Sequence, residues 1–262
     1  MLISQATSRR CGAFAAALAF SIAPAGLSAQ SAGEHVTMGD RDHVVMDAPA
    51  ALRHYEEAIK IDPKAYDALC KASREAVDVG LYAGDEQERN RLYSLAEQYA
   101  RHAVEVNSRD AEGHFQLARA LGRKALSLGK RDQVKYASDV RTQALEALAI
   151  NPNDPGALHV MGMWNYNVLR LNGFVRFLAV RVLGGQTFDS AKWEDAQRYM
   201  EASVSFDPRL LVHHLDLARV YAARDNKEKA REQYNLVLKG VATDYNDKHY
   251  KAEAADEIKD VD

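Results

Sequence analysis

Cysteine is nearly absent: the 262 residues hold two, Cys11 and Cys70. Cys11 falls in a segment read below as removable, so Cys70 stands alone and an intrachain disulfide is excluded from the remainder. A chain of this length can build a core large enough not to need one. Six prolines and fifteen glycines are too few for a disordered or collagen-like chain. An excess of one charge is missing too. Lys and Arg number 34 against 37 Asp and Glu, a net −3 with a pI near 6.3, and that lacks the basic excess of a nucleic-acid binder. Catalytic and metal signatures are also absent, with no H-E-x-x-H, no glycine-rich phosphate loop and no C-x-x-C. The adjacent His213 and His214 would point about 100° apart on a helix and could not together ligate one ion. The chain is therefore expected to carry no cofactor and no metal, to bind no nucleic acid, and not to be an enzyme. What is present is ordinary globular material, 47% hydrophobic and 27% charged, enough for one domain or two small ones.

The N-terminal segment has a different character. Arg9 and Arg10 precede an alanine-rich apolar run from Cys11 to Ala23, and Leu27-Ser28-Ala29 offers a small-residue cleavage site. The run is too short to span a bilayer, and Pro24 breaks it. Residues 1–29 are expected to be a signal peptide and the protein to be exported, periplasmic or secreted. Residues 30–46 are polar, contain Gly33 and Gly39, and read as a flexible leader ahead of a single domain over residues 47–262.

That domain reads as all-α. Apolar residues recur at three- and four-residue spacing, as in Leu52, Tyr55 and Ile59, or Leu92, Leu95, Ala96, Tyr99 and Ala103, each stripe marking one helix face. Breaks fall at Asp62-Pro63, Asn107-Ser108, Asn151-Pro152 and Asp207-Pro208, each between two striped segments. The last repeat fits the tetratricopeptide pattern of about 34 residues without a gap. His214, Leu217, Ala218 and Tyr221 take its first-helix positions, and Ala230 and Tyr234 its second-helix positions, with Arg224 to Asn226 as the turn. Ala218 and Ala230 sit where the two helices cross, and larger side chains would push them apart. Earlier repeats keep the small-residue spacing of the second helix (Ala51, Tyr55, Ala58; Ala96, Ala100, Ala103; Ala196, Met200, Ser203) but lengthen the middle. The expected fold is a tetratricopeptide-type helical-hairpin solenoid of four repeats with insertions. A lone helix precedes it and a further helix over Asp247 to Asp260 closes it.

Several stretches are similar to the regulator of microtubule dynamics family, whose members carry a divergent tetratricopeptide domain. The likeness covers roughly residues 48 to 258. It is carried by Ala72-Ser73-Arg74-Glu75, by Asn151-Pro152 with Met161 through Tyr166, by the long insert between Tyr166 and Trp193, and by Asp207-Pro208 with the gapless repeat behind it. The resemblance implies a helical scaffold for protein contacts and, in some animal relatives, microtubule association or organelle tethering with lipid binding. Those roles are intracellular, and an exported chain does not meet tubulin.

The helical register also picks out a groove. Positions about 130° from the face that packs on the second helix would line the concave side. They bring forward Arg74, Phe115, Arg119, Met163, Tyr166, Leu215 and Arg219 as candidate binding residues. A row of guanidiniums there could clamp a carboxylate or phosphate. Alternatively, the arginines pair with neighbours such as Glu75, Asp78 and Asp216 on a solvated face. The third-repeat insert, 171–183, is apolar over most of its circumference with Arg176 and Arg181 on the rest. Packing over its own repeat is the expected arrangement, with contact to a membrane surface as the alternative. The function these features imply is an exported binding scaffold holding a protein or peptide segment, or an amphiphilic ligand, in its groove. The alternative is a lipid-binding or membrane-contact protein.

Overall fold

The computed structural model describes residues 30–128, 130–171 and 186–261. The expected signal peptide, and the 171–183 insert beyond Leu171, lie outside these. All regular structure among the described residues is helical. In chain order the helices are α1 (Ala32–Val44), α2 (Ala48–Ile61), α3 (Tyr66–Leu81), α4 (Glu86–Val106), α5 (Ala111–Ser127) and α6 (Lys130–Ile150). There follow α7 (Pro155–Leu169), the short α8 (Gln186–Asp189), α9 (Trp193–Phe206), α10 (Leu211–Ala223), α11 (Lys227–Lys239) and α12 (Asp247–Glu257), which runs into a 3-10 turn (Ile258–Val261).

The turn chemistry read from the sequence is what separates the hairpins. At all four expected breaks an Asx side chain accepts the backbone N–H two residues on: Lys64 to Asp62 at 2.9 Å, Arg109 to Asn107, Asn153 to Asn151 and Arg209 to Asp207, each at 3.2 Å. This local bond competes with the next helical one and ends the helix at the same point in each repeat. Asp110 and Asp154 then cap α5 and α7, accepting from the N–H groups of Glu112 and Ala157. The residues beyond a 34-residue unit in the first two full repeats lengthen α4 and α6, 21 residues each, and not the turns.

Packing follows the hairpin order. α3 lies against α4, α5 against α6, α7 against α9 and α10 against α11, while α3, α5, α7 and α10 touch in sequence and form the inner layer. The helix crossings are lined by small residues: Ala96, Ala100, Ala103, Ala218 and Ala230 have no exposed surface. At the α7–α9 crossing a Cβ on Gly162 would stand 2.5 Å from Met200, so only glycine lets the two helices approach this closely. His114 and His214 occupy the tryptophan position of their repeats by one shared device. Each ring meets a glutamine of the second helix (Gln143 at 2.8 Å, Gln233 at 2.7 Å) and a carbonyl of the preceding turn (Ser108, Pro208).

Two expectations are corrected. The flexible leader over residues 30–46 is for the most part helix α1. It starts with a capping box in which Ser31 Oγ accepts from the Glu34 N–H and Glu34 accepts from the Ser31 N–H. Gly39 is there for packing and not for flexibility, since a Cβ would lie 2.5 Å from the Tyr55 ring. The supposedly lone helix α2 is thus the second arm of a hairpin. The terminal helix α12 also does more than cover the end of the stack. It packs on α10 and α11, and it reaches back to α3: Tyr82 donates to Glu253 at 2.6 Å and stacks on His249, and Asn246 donates to the Asp78 carbonyl at 3.0 Å.

Candidate functional site

The inner layer and α12 enclose a cavity of about 1000 Å³. Arg74, Phe115, Arg119, Met163, Tyr166 and Arg219 all line it, as do Asp78, Glu112, Gln116, Arg123, Asp154, His159, Asp216, Asp244 and Glu253. Six of the seven residues singled out by helical register therefore open onto one space. Leu215 does not. It has no exposed surface and sits in the core cluster that also includes Tyr166, Met200 and, from α12, Tyr250 and Ala254.

Each arginine of the row already has a carboxylate partner. Arg74 Nε donates to Glu75 at 2.8 Å, and Glu75 is 1% exposed. Arg119 donates to both oxygens of Asp78, at 2.6 and 3.5 Å, and to the Arg74 carbonyl at 3.3 Å. Arg219 is held by three carboxylates, Asp216 at 2.8 Å, Glu253 at 2.6 Å and Glu257 at 2.5 Å. The pairing with Glu75, Asp78 and Asp216 is the alternative read from the sequence, except that these acids are buried and not solvated. Partner choice was visible where it ran along one helix. The Glu253 and Glu257 contacts were not, because they depend on where α12 folds back.

Asp216 has a second partner, His159 Nε2 at 2.8 Å. Burial pushes its carboxyl up, but the His159 hydrogen bond and the charges of His159 and Arg219 outweigh that and hold it well below the usual carboxylate range. His159 stacks on His213, whose ring nitrogen Nδ1 lies 3.0 Å from Ser203 Oγ. Ser203 already donates to the Pro155 carbonyl at 2.8 Å, so His213 must donate to the serine and cannot act as its base. Ser203 has no exposed surface. Burial, and then the neighbouring His159, press the His213 pKa well below its ordinary value, and the ring stays neutral.

Three other cavity carboxyls behave in the opposite way. Burial raises Glu112, with the charges of Asp154 and Asp110 adding to it. Asp154 is raised by burial against its backbone hydrogen bonds. Asp244 is pushed up to about 6 by burial and by the adjacent Asp78. None of the three has a salt bridge among the described residues, so the acids of the cavity divide into paired and unpaired sets.

The sequence model of the family described as Regulator of microtubule dynamics protein 1-3 matches residues 37–262. Regulator of microtubule dynamics protein 1 of Bos taurus is 28% identical over 206 residues, which span 78% of this chain and 63% of the bovine protein. The Homo sapiens protein of the same name is 26% identical over 188 residues, 71% of this chain and 59% of that one. The chain thus spans less than two thirds of the length of the curated relatives it matches. Among solved structures, a thermophilic TPR (tetratricopeptide-repeat) protein from Thermus thermophilus aligns with a TM-score of 0.59 over 86% of this chain and 98% of that one. At 18% identity this is a likeness of fold.

Proposed function

The chain belongs to the regulator of microtubule dynamics protein 1-3 family, and from that premise we propose that it is a scaffold whose concave cavity holds a segment of a partner protein. The observation that carries the reading is the cavity itself. About 1000 Å³ of space is walled by a rigid inner layer, with Phe115, Met163 and Tyr166 beside fixed polar groups, the mixture that binding sites present. Stacked hairpins suit this task because each repeat is fixed by its neighbours and adds one strip to a continuous inner wall. The paired arginines fit the role of a rigid lining, since each ion pair ties one helix or neighbour to the next and leaves the wall's shape defined. From the character of residues 1–29 we also propose export, and on that reading the partner lies outside the cytoplasm and is not tubulin.

The test places a photo-crosslinking benzophenone residue at Phe115 or Met163 of the full chain, expressed in its own host, with the exposed Lys227 as an outer control. Protein adducts at the two cavity positions, and not at residue 227, are the expected result. Adducts of equal yield at the outer position would refute a cavity site. A lipid retained at the cavity in native mass spectrometry, with no protein adduct there, would replace the protein segment by an amphiphile.

A further inference from the structure

Of the two readings of the arginine row, anion clamp or ion pairs, the structure shows the ion pairs, and the carboxyls left without such a partner point to a ligand of the opposite charge. Among the described residues that line the cavity, five arginines face seven carboxylates. Arg74, Arg119 and Arg219 each make an ion pair. Two of the carboxyls without a salt bridge among the described residues, Glu112 and Asp154, lie near each other at one corner, between the first turns of α5 and α7. Glu112 and Phe115 lie one turn apart on α5 and Gln116 follows, so all three share a face. The Phe115 ring packs on Gly156, two residues after Asp154, so closely that a Cβ there would stand 2.3 Å from it, and Asp154 lies near enough to Glu112 for its charge to act on it.

That corner has acceptors and no donors to match them. Gln116 is 1% exposed, and its Nε2 donates to Glu112 Oε1 at 2.9 Å, while its own Oε1 is buried without a hydrogen-bond partner among the described residues. Turning the amide over does not help, because it would set Oε1 against the Glu112 carboxylate. The charge of Arg74 reaches Glu112, but its one hydrogen bond among the described residues, from Nε, goes to Glu75 and not to Glu112. Buried carboxyls without a salt bridge are costly to ionise, and a positively charged group with N–H donors seated against them would remove that cost. The aromatic face of Phe115 adds to the preference for a cation. The same imbalance recurs elsewhere in the cavity wall. Asn246 Oδ1 is buried and unpartnered among the described residues, and the Asn246 N–H donates to the unpaired Asp244 at 3.1 Å.

We infer that the corner formed by Glu112, Phe115, Gln116 and Asp154 seats a lysine or arginine side chain of the bound segment, so that the partner's recognition motif is basic. This rests on the reading of the cavity as a site for a protein segment, and it specifies that segment's charge.

The experiment pans a phage-displayed random dodecapeptide library on the full chain and titrates synthesised winners by fluorescence anisotropy. Glu112→Gln and Asp154→Asn keep the hydrogen bonds to Gln116 and the α7 cap while removing the charge. Both should therefore melt no lower than the parent. Winners are expected to carry a Lys or Arg. Its replacement by norleucine or citrulline should weaken binding about ten-fold or more, the worth of one charged hydrogen-bonded contact. Glu112→Gln should abolish most of that difference. Two results would overturn the cation seat while leaving the scaffold reading intact. One is winners without a basic residue, and the other is basic winners that bind Glu112→Gln unchanged, in either case with binding lost in Phe115→Ala. No enrichment, or winners indifferent to both Phe115→Ala and Glu112→Gln, would overturn both readings.

Discussion

If the Arg119–Asp78 pair is structural, removing its positive half should unfold the protein early. Asp78 has a side chain 3% exposed, against 21% for Arg119, and its remaining side-chain hydrogen bond comes from Asn246 at 3.2 Å. Arg119→Met keeps most of the apolar stem but strands the carboxylate. Breaking a buried pair by removing one partner costs about 3–5 kcal/mol. Here Asn246 still donates to the carboxylate, so the lower figure applies. A domain of this size loses about 2–4 °C per kcal/mol, which places the drop in midpoint on the order of 6–12 °C. Thermal unfolding followed by circular dichroism at the helical band would read it. The double variant Arg119→Met, Asp78→Asn removes the stranded charge and should recover at least half of the loss. A single variant melting within about 1 °C of the parent would show that the pair contributes little. A double variant as unstable as the single one would show that the loss comes from packing and not from charge, and would refute the argument as made.

Two further outcomes are expected. Ala230 has no exposed surface where α10 crosses α11, so Ala230→Leu should cost about 1–3 kcal/mol through overpacking, while Lys227→Leu on the exposed first turn of α11 costs little; denaturant melts compare the two. Asp244, pushed up to about 6 by burial and by Asp78, is raised above its unfolded value, so its ionisation opposes folding: the penalty is absent at low pH and grows as pH rises through that value. Asp244→Asn should therefore raise stability by roughly 1–3 kcal/mol near pH 8, and the gain should vanish near pH 4; a gain independent of pH would mean that the charge is not its source.

The chain's own order of residues determined what depends on neighbours a few positions away. Asp62, Asn107, Asn151 and Asp207 end helices by bonding an N–H two residues on, and Ala218 with Ala230 marks a helix crossing because only small side chains allow it. Both signals are local, so the hairpins were legible, and six of the seven residues picked by register do line the cavity. Gly33 and Gly39 misled for the same reason. Local chemistry reads glycine as loop, and only the tertiary structure shows the Tyr55 ring occupying the place where a Cβ on Gly39 would stand. The full set of partners of the arginines was out of reach. Three arginines in register look like an anion site until their partners are known, and some of those partners come from distant chain: Asp78 lies 41 residues from Arg119, and Glu253 and Glu257 lie 34 and 38 from Arg219. The return of α12 to α3, through contacts 168 and 171 residues apart, places Glu253 and Asn246 against those charges. A charge's net effect depends on every group within a few ångströms, and that neighbourhood exists only once the stack has closed.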